Sequence, residues 1–145
     1  MFFLVQIARA SAPELTVVVP YYNEERYIRD AQASLDAQTE QGFDAVFLDD
    51  GSTDRSREYV SEFVKRRSSL STSTRSTNVI SGERRNLLFQ RREAVRHVRT
   101  RYLTFLDADD ALDPHFVARV LDALHANPKA NVLHVGEERR VFASA

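Results

Sequence analysis

The sequence predicts an α/β domain, a three-layer α/β/α sandwich built around a mainly parallel sheet. Short apolar runs rich in valine alternate along the chain with stretches of helical periodicity, as in chains of strand–helix units. A length of 145 residues suits one domain, and a hydrophobic content of 43% is enough for a sizeable core. We divide the chain into a flexible lead-in over residues 1–14 and one domain over residues 15–145.

The first half of the domain predicts two strand–helix units. The run over 15–20, rich in valine and closed by proline, is typical of a strand buried on both faces. A helix over 24–38 follows, with Glu24 and Glu25 in its first turn, where the helix dipole favours negative charge. A strand over 43–48 then leads into a second helix through "RSREYVSEFVKRR", which Ser52 or Thr53 can cap. The residues expected to face the core from the two helices are Ile28, Ala31, Leu35, Tyr59, Val60, Phe63 and Val64.

The second half continues the alternation. Residues 68–77 hold eight Ser or Thr in ten positions, a composition that predicts a loop. A weak strand over 78–81 precedes a helix over 83–98, with Leu88, Val95 and Val98 expected to face inward. A buried strand over 102–106 follows, Pro114 opens a helix that ends near Ala126, and the last strand is expected over 131–136.

Charge and composition exclude several classes of protein. A net charge of −1 gives no overall nucleic-acid footprint. The absence of cysteine excludes a disulfide scaffold, a cysteine nucleophile and a thiolate metal site, and fits a cytoplasmic protein. The opening "MFFLVQIARASAPE" has an apolar run too short to span a bilayer and no basic leader, so we expect no export signal. Peripheral attachment to a membrane through another subunit stays open.

Carboxylates follow two of the predicted strands. Asp49 and Asp50 follow the strand over 43–48, and Asp107, Asp109 and Asp110 follow the strand over 102–106. In an open parallel sheet, ligands bind at the carboxyl ends of the strands, beside the point where strand order reverses. Oxygen ligands gathered there suit a hard cation such as Mg²⁺ or Mn²⁺, which would offset their repulsion and bridge to a diphosphate.

Simpler interpretations apply to part of the acidic residues. For Asp54 and Asp113 we favour a role in a loop or as a helix cap. An EF-hand is excluded, because counting from Asp107 the sixth loop position is Leu112 and the twelfth is Ala118, where that loop needs glycine and glutamate.

Three segments together resemble the large inverting glycosyltransferase family with the Rossmann-like GT-A fold, often called family two. They are "TVVVPYYNEERYI", "FDAVFLDDGSTDRS" and "YLTFLDADDALDPHF", and the resemblance runs from about Leu15 to Gly136. The resemblance implies a nucleotide-sugar site, most often for a uridine diphosphate sugar, with Mg²⁺ or Mn²⁺ as the metal.

The resemblance also implies roles for individual residues. Asp50 would accept a hydrogen bond from the base, and Tyr22 would pack on it. "DAD" is similar to the family's DxD motif, in which Asp107 approaches the ribose and the metal and Asp109 binds the metal. The implied nucleotide-sugar-binding residues are Pro20, Tyr21, Tyr22, Asn23, Glu24, Asp50, Arg91, Asp107, Ala108 and Asp109.

The sequence departs from the family pattern in two places. Where the family usually has Ala-Arg-Asn-x-Gly, this chain has residues 90–94 as Gln-Arg-Arg-Glu-Ala, and Thr100 replaces a second glycine. Arg91 keeps the basic position of that motif. The family continues into a C-terminal acceptor half that normally carries the general base, and we expect this chain to lack it. No catalytic residue is therefore assigned, and His134 is interpreted as a core or edge residue.

Three further hypotheses remain beside a glycosyltransferase or its donor half. One is a non-catalytic nucleotide-sugar-binding module that needs a partner subunit for the acceptor site. Another is a phosphatase of the haloacid-dehalogenase type, suggested by "FLDDGSTD" although its DxDG spacing is one position short. The third is a nucleic-acid helix, suggested by seven arginines between Arg84 and Arg101. A solvated face, with one or two arginines reaching the diphosphate, is the better interpretation, and we expect no nucleic acid as partner. The acceptor is not predicted.

Overall fold

The part of the chain that the structure describes forms a parallel sheet of four strands with helices on both faces. The computed structural model describes residues 13–70, 77–81 and 87–129; the expectations for the lead-in through residue 12, the strand over 131–136 and His134 lie outside them. Within these ranges the strands are β1 (Leu15–Tyr21), β2 (Asp44–Asp49), β3 (Thr77–Ser81) and β4 (Tyr102–Phe105). Their order is β3-β2-β1-β4 and every pairing is parallel, which confirms the predicted sheet.

The helices complete three layers. They are α1 (Ile28–Asp36), α2 (Ser56–Leu70), α3 (Leu87–His97) and α4 (Phe116–Ala126). Side chains of α1, α2 and α4 share one core cluster with β1 and β2, whereas α3 contributes to a second cluster on the opposite face. The three-layer α/β/α sandwich predicted from the sequence is therefore confirmed.

The pleat of β1 and β2 divides their apolar side chains between the two cores. Because successive side chains point to opposite faces, Val17, Val19 and Phe47 pack with α1, α2 and α4, while Val18 and Val46 pack with α3. Every residue of β1 is buried, as expected for a strand covered on both faces. The helix residues predicted to face this core do so: Ile28, Ala31, Leu35, Val60 and Phe63 are buried, and Tyr59 and Val64 are partly buried.

Two helix boundaries differ from the prediction. The α1 helix begins at Ile28 and not at residue 24, because the Glu24 carbonyl accepts the N–H groups of Tyr27 (3.0 Å) and Ile28 (2.9 Å) in a turn that precedes the helix. The two glutamates thus lie before the first helical turn. The α2 helix runs through Leu70, so residues 68–70 of the predicted loop are helical. The Ser69 hydroxyl donates to the Arg66 carbonyl at 2.7 Å, which satisfies that side chain inside the helix.

Of the three residues expected to face inward from α3, Val95 does not do so, and the side chain of Leu88 lies outside what the structure describes. Val95 is 57% exposed, and its neighbour Ala94 is fully buried against Val18 and Val46. Val98 is partly buried as predicted. At Ala94 a small residue stands where the family pattern has glycine, so a small side chain at the sheet contact is retained.

Hydrogen bonds made by two polar side chains, Thr100 and Gln38, fix the segments before and after β4. Before the strand, the Thr100 hydroxyl donates to the Tyr102 carbonyl at 2.7 Å and lies 2.6 Å from the hydroxyl of Thr16, which must then donate to it. After the strand, the buried Gln38 side chain donates to the Asp113 carbonyl (2.8 Å) and accepts the Val117 N–H (3.0 Å). The loop between β4 and α4 is therefore tied to the end of α1.

Candidate functional site

The loops that follow β1, β2 and β4 meet at one edge of the sheet. Successive strands are added on one side from β1 to β3, and β4 then pairs with the other side of β1. The strand order thus reverses beside β1, which is where ligands bind in open α/β sheets. The Asp50 N–H donates to the Tyr21 carbonyl at 3.0 Å and the Leu106 N–H to the Val18 carbonyl at 2.9 Å, so all three loops start from one hydrogen-bonded edge.

The loop after β1 contributes a buried and an exposed part. Pro20 and Tyr21 are buried, Tyr22 and Glu24 are half-buried, and Asn23 is exposed with a φ of 54°. Burial and the nearby Asp49 carboxylate raise the pKa of Tyr21 well above its ordinary value. Its hydroxyl is buried and has no hydrogen-bond partner among the residues that the structure describes. Tyr21 therefore belongs to the core cluster that β1 and β2 form with α1, α2 and α4. Of the two tyrosines, Tyr22 is the one that can face a ligand.

The two aspartates after β2 are both buried, and Asp49 is the one held by an arginine. Asp49 is fully buried, and its Oδ2 lies 2.6 Å from Arg57 Nη2 and 2.7 Å from Arg57 Nε. Its Oδ1 accepts the Ser52 N–H at 2.8 Å. Through these contacts Asp49 joins the loop after β2 to α2, which is a structural role. Asp50 comes next and precedes Gly51, whose φ of 82° turns the chain. The resemblance implied a binding role for Asp50 alone and gave no role to Asp49. The arginine eight residues after Asp49 was the signal that could have shown its structural role.

The loop after β4 is a tight turn of acidic residues. The Asp110 N–H donates to the Asp107 carbonyl at 3.0 Å, and Ala108 is buried beneath the turn. Asp107 and Asp109 are exposed. Arg91 Nη2 from α3 lies 3.1 Å from Asp107 Oδ1, and its guanidinium lies 5.1 Å from the centre of the Phe105 ring. The structure thus places Arg91 beside the DxD-like turn.

The acidic side chains of different loops influence one another. Burial raises the pKa of Glu24, and the charges of Asp109 and Asp54 raise it further. The first of these charges comes from the loop after β4 and the second from the loop after β2. The three loops therefore bring negative charge together, and a cationic group bound among them would relieve that repulsion.

The described residues do not form a complete protein metal site. Over residues 13–70, 77–81 and 87–129, no group of three or more His, Cys, Asp or Glu side chains is placed to hold a metal ion. Two carboxylate oxygens nevertheless suit Mg²⁺ or Mn²⁺, since such ions are often bound by one or two carboxylates together with substrate phosphates. Asp107 and Asp109 could supply carboxylate oxygens to a site of this kind, which a phosphate of the substrate would complete.

Of the two aspartates expected in a loop or as a helix cap, Asp54 lies at the start of α2, whereas Asp113 lies in the turn before α4, whose N-cap residue His115 has no side-chain cap bond. Asp54 Oδ1 accepts the Ser56 N–H at 3.0 Å at the start of α2, and Asp113 Oδ1 accepts the His115 N–H at 2.8 Å before α4. Ser52 and Thr53, predicted as alternatives for the first cap, contact Asn23 instead. Asp54 therefore caps α2.

Comparison with solved structures identifies the fold. The chain superposes on S. aureus TarS 1–349 in complex with UDP-GlcNAc with a TM-score of 0.67, 21% identity and coverage of 79% of this chain and 32% of that one. It superposes on the mannosyltransferase PcManGT from Pyrobaculum calidifontis, in complex with GDP-Man and Mn²⁺, with a TM-score of 0.68, 23% identity and coverage of 80% and 34%. The domain has the GT-A fold, as the sequence predicted.

Comparison of sequences identifies the family. Residues 16–140 match the family model described as Glycosyl transferase family 2, and the chain belongs to that family. It is 33% identical over 109 residues to the teichoic acid poly(glycerol phosphate) polymerase of Staphylococcus epidermidis. The match covers 75% of this chain and 14% of that protein.

Among the described residues, no helix is long and apolar enough to cross a membrane.

Proposed function

We propose that this chain binds the nucleotide-sugar donor of a glycosyltransferase. The observation that carries the proposal is the meeting of three loops at the strand-order reversal, with Tyr22, Asp50 and the Asp107–Asp109 turn on one edge of the sheet. Family membership supports a role in glycosyl transfer. Two of the structures on which the chain superposes are complexes with UDP-GlcNAc and GDP-Man. This supports a nucleoside diphosphate sugar here, with uridine diphosphate as the first nucleotide to test.

Tyr22, Asp50 and Arg91 each have a role that follows from their chemistry. Tyr22 offers an aromatic face for the base, and the Asp50 carboxylate can accept hydrogen bonds from a base edge. Arg91 carries a positive charge beside the turn, where it can approach the diphosphate. Pro20, Tyr21 and Ala108 are buried and shape the floor of the site through the backbone.

The metal belongs to the same proposal. Asp107 and Asp109 would hold Mg²⁺ or Mn²⁺ together with the diphosphate. When bound, such an ion supplies Lewis-acid stabilisation of the charge that develops on the leaving diphosphate. Transfer with inversion at the sugar carbon is the expected outcome for this family. We assign no general base among the described residues, so the proposal for this chain is donor binding, and the acceptor is not assigned.

Calorimetric titration with uridine diphosphate tests the proposal, first with Mn²⁺ present and then with the metal chelated. We expect binding that depends on the metal, and at least about a tenfold loss of affinity in Asp109→Ala, since one charge-assisted metal or phosphate contact is worth about 1.5–3 kcal/mol. Asp122→Ala is the matched control, because Asp122 is an exposed aspartate on α4. Equal affinities for wild type and Asp109→Ala would remove the metal role, and no binding of uridine, thymidine or guanosine diphosphate would overturn the proposal.

A separate measurement distinguishes catalysis from binding. Release of uridine diphosphate from a uridine diphosphate sugar, followed over time with the same protein, reports cleavage of the sugar–phosphate bond. Binding without release is expected of a donor-binding part or a non-catalytic module. Release above the rate without protein would instead require a group in this chain that activates water or an acceptor.

A further inference from the structure

We propose that Asn23 is a positioning residue, which fixes the loop after β2, and that it does not contact the nucleotide. This inference rests on the proposed function, because it concerns the same donor site. It also reassigns one residue, since Asn23 was expected from the sequence to bind the nucleotide itself. The evidence is a set of four hydrogen bonds between the loops after β1 and β2, here called the loop ladder.

The loop ladder links two backbones through side chains. The Asn23 N–H donates to the Ser52 hydroxyl (3.1 Å), and the Thr53 N–H donates to Asn23 Oδ1 (2.8 Å). One step further along, the Glu25 N–H donates to Asp54 Oδ2 (3.0 Å), and the Arg55 N–H donates to Glu25 Oε2 (3.1 Å). The ladder consists of Asn23 and Glu25 on one loop and residues 52–55 on the other.

The loop ladder begins where the sheet stops. Strands β1 and β2 pair in parallel up to Tyr21 opposite Asp49, and beyond that register their backbones no longer pair. Backbone N–H groups there need other acceptors. Each loop supplies two side-chain oxygens that accept N–H groups of the other, so the two loops stay joined for a further step past the last strand residues.

Asn23 is suited to its place by both its backbone and its side chain. Its φ of 54° lies in the left-handed region, which asparagine adopts more readily than most residues with a side chain. Its Oδ1 accepts the Thr53 N–H and lies 3.4 Å from both the Asp54 nitrogen and the Thr53 hydroxyl. The amide oxygen is therefore directed at the second loop and not at the open edge of the sheet.

In the loop after β2, hydrogen bonds hold the residues on both sides of the turn formed by Asp50 and Gly51. Asp49 is held by Arg57 and accepts the Ser52 N–H, and Ser52 and Thr53 are held by Asn23. Asp50 and Gly51 form the turn between these residues, and the Asp50 N–H itself donates to the Tyr21 carbonyl. Fixing both sides of this turn helps to hold the backbone from which the Asp50 carboxylate projects. Loss of the ladder should therefore weaken nucleotide binding indirectly, through the position of Asp50.

Two substitutions of Asn23 separate positioning from direct contact. Asn23→Asp keeps an acceptor oxygen for the Thr53 N–H, whereas Asn23→Gly keeps the backbone conformation and removes the acceptor. We expect Asn23→Asp to bind uridine diphosphate and Mn²⁺ within about threefold of wild type and Asn23→Gly to bind about tenfold more weakly, the size of one lost hydrogen bond to a buried or ordered partner. Equal weakening in both variants would overturn the inference. Both variants lack the side-chain amide N–H2 of asparagine, so equal weakening would mean that this amide contacts the nucleotide directly. A carboxylate can replace the amide only as the acceptor of the Thr53 N–H.

Amide exchange in the nucleotide-free protein gives an independent test. Exchange of the Thr53 and Asp54 N–H groups, measured by NMR, should accelerate in Asn23→Gly and stay near wild type in Asn23→Asp. Ser52→Ala, which removes the other partner of Asn23, should accelerate the same amides even if Asn23→Gly fails to fold. Unchanged exchange in both Asn23→Gly and Ser52→Ala would overturn the ladder. If wild type binds no nucleotide, the proposed function fails, while the exchange measurement still decides whether the ladder exists.

Discussion

Replacing Arg57 by methionine should destabilise the domain far more than the exposure of this arginine suggests. Its side chain is 54% exposed, but its guanidinium lies 2.6 Å from Oδ2 of Asp49, whose side chain is fully buried. Methionine keeps much of the aliphatic length and removes the charge. The Asp49 carboxylate would then be buried with the Ser52 N–H as its remaining described partner.

The expected magnitude follows from the burial of one partner. Removing one member of a buried ion pair costs about 3–5 kcal/mol, because an uncompensated charge stays in the interior. Water can reach the half-exposed side of this pair and replace part of the interaction, which lowers the expectation to about 2–4 kcal/mol. Asp49→Asn introduced together with Arg57→Met should recover part of the loss, since the buried charge is then absent as well.

Urea unfolding monitored by circular dichroism measures the effect. Arg57→Met should lower the midpoint with an unchanged slope. Arg55→Met is the matched control on the same turn, because Arg55 pairs with Glu58 on the surface with side chains 61% and 53% exposed, and exposed pairs contribute little to stability. The reasoning is refuted if Arg57→Met costs no more than Arg55→Met, or if the double variant is no more stable than Arg57→Met alone.

Three other perturbations have defined outcomes. Gln38→Leu should cost about 2–3 kcal/mol in urea unfolding, because it leaves the buried Val117 N–H without its acceptor at 3.0 Å; no loss would contradict the tie between α1 and α4. Tyr21→Phe should leave stability within about 0.5 kcal/mol of wild type or raise it, because the buried hydroxyl has no partner among the described residues; a loss above about 1 kcal/mol would reveal a partner. Partial burial acts to raise the pKa of Asp54, but hydrogen bonds from Ser56 and the Glu25 N–H hold it below the ordinary value. A lowered pKa in the folded state means stability that is present above the unfolded value of about 3.9 and is lost as the pH falls below it. Unfolding between pH 6 and pH 3 should therefore depend less on pH in Asp54→Asn than in wild type, and identical pH profiles would count against this assignment.

Sequence patterns were sufficient for the architecture. The valine-rich run of β1 is buried on both faces because helices cover both sides of the sheet, and continuous apolar runs indicate that arrangement directly. The acidic residues after β2 and β4 were expected at one edge, since parallel strands end on the same side, and the strand order places their loops on either side of β1.

Two errors on the helices have different causes. On α3, periodicity favoured Val95, but packing against the distant residues Val18 and Val46 selects the smaller Ala94 for the buried position, since tertiary context overrides local propensity. At the end of α2, composition favoured a loop over 68–70, yet the Ser69 hydroxyl donates to the Arg66 carbonyl within the same helix, a local bond that serine composition alone does not reveal.

The roles of individual site residues were the least accessible from sequence. Asp49 and Asp50 are adjacent and chemically identical, and only the contact with Arg57 shows that the first is structural. Asn23 reaches the Thr53 N–H, thirty positions along the chain, at 2.8 Å. No spacing rule connects residues so far apart in the chain. These assignments therefore required the geometry of the loops.

The most direct test of the account is an NMR titration of the isotope-labelled chain with uridine diphosphate in the presence of Mg²⁺, which is diamagnetic and leaves nearby signals visible. The account predicts chemical-shift changes concentrated in three segments, residues 20–24, 50–55 and 107–110, with little change along α4. Absence of changes at saturating nucleotide, or changes concentrated away from the carboxyl ends of β1, β2 and β4, would contradict the claim that these three loops form the donor site.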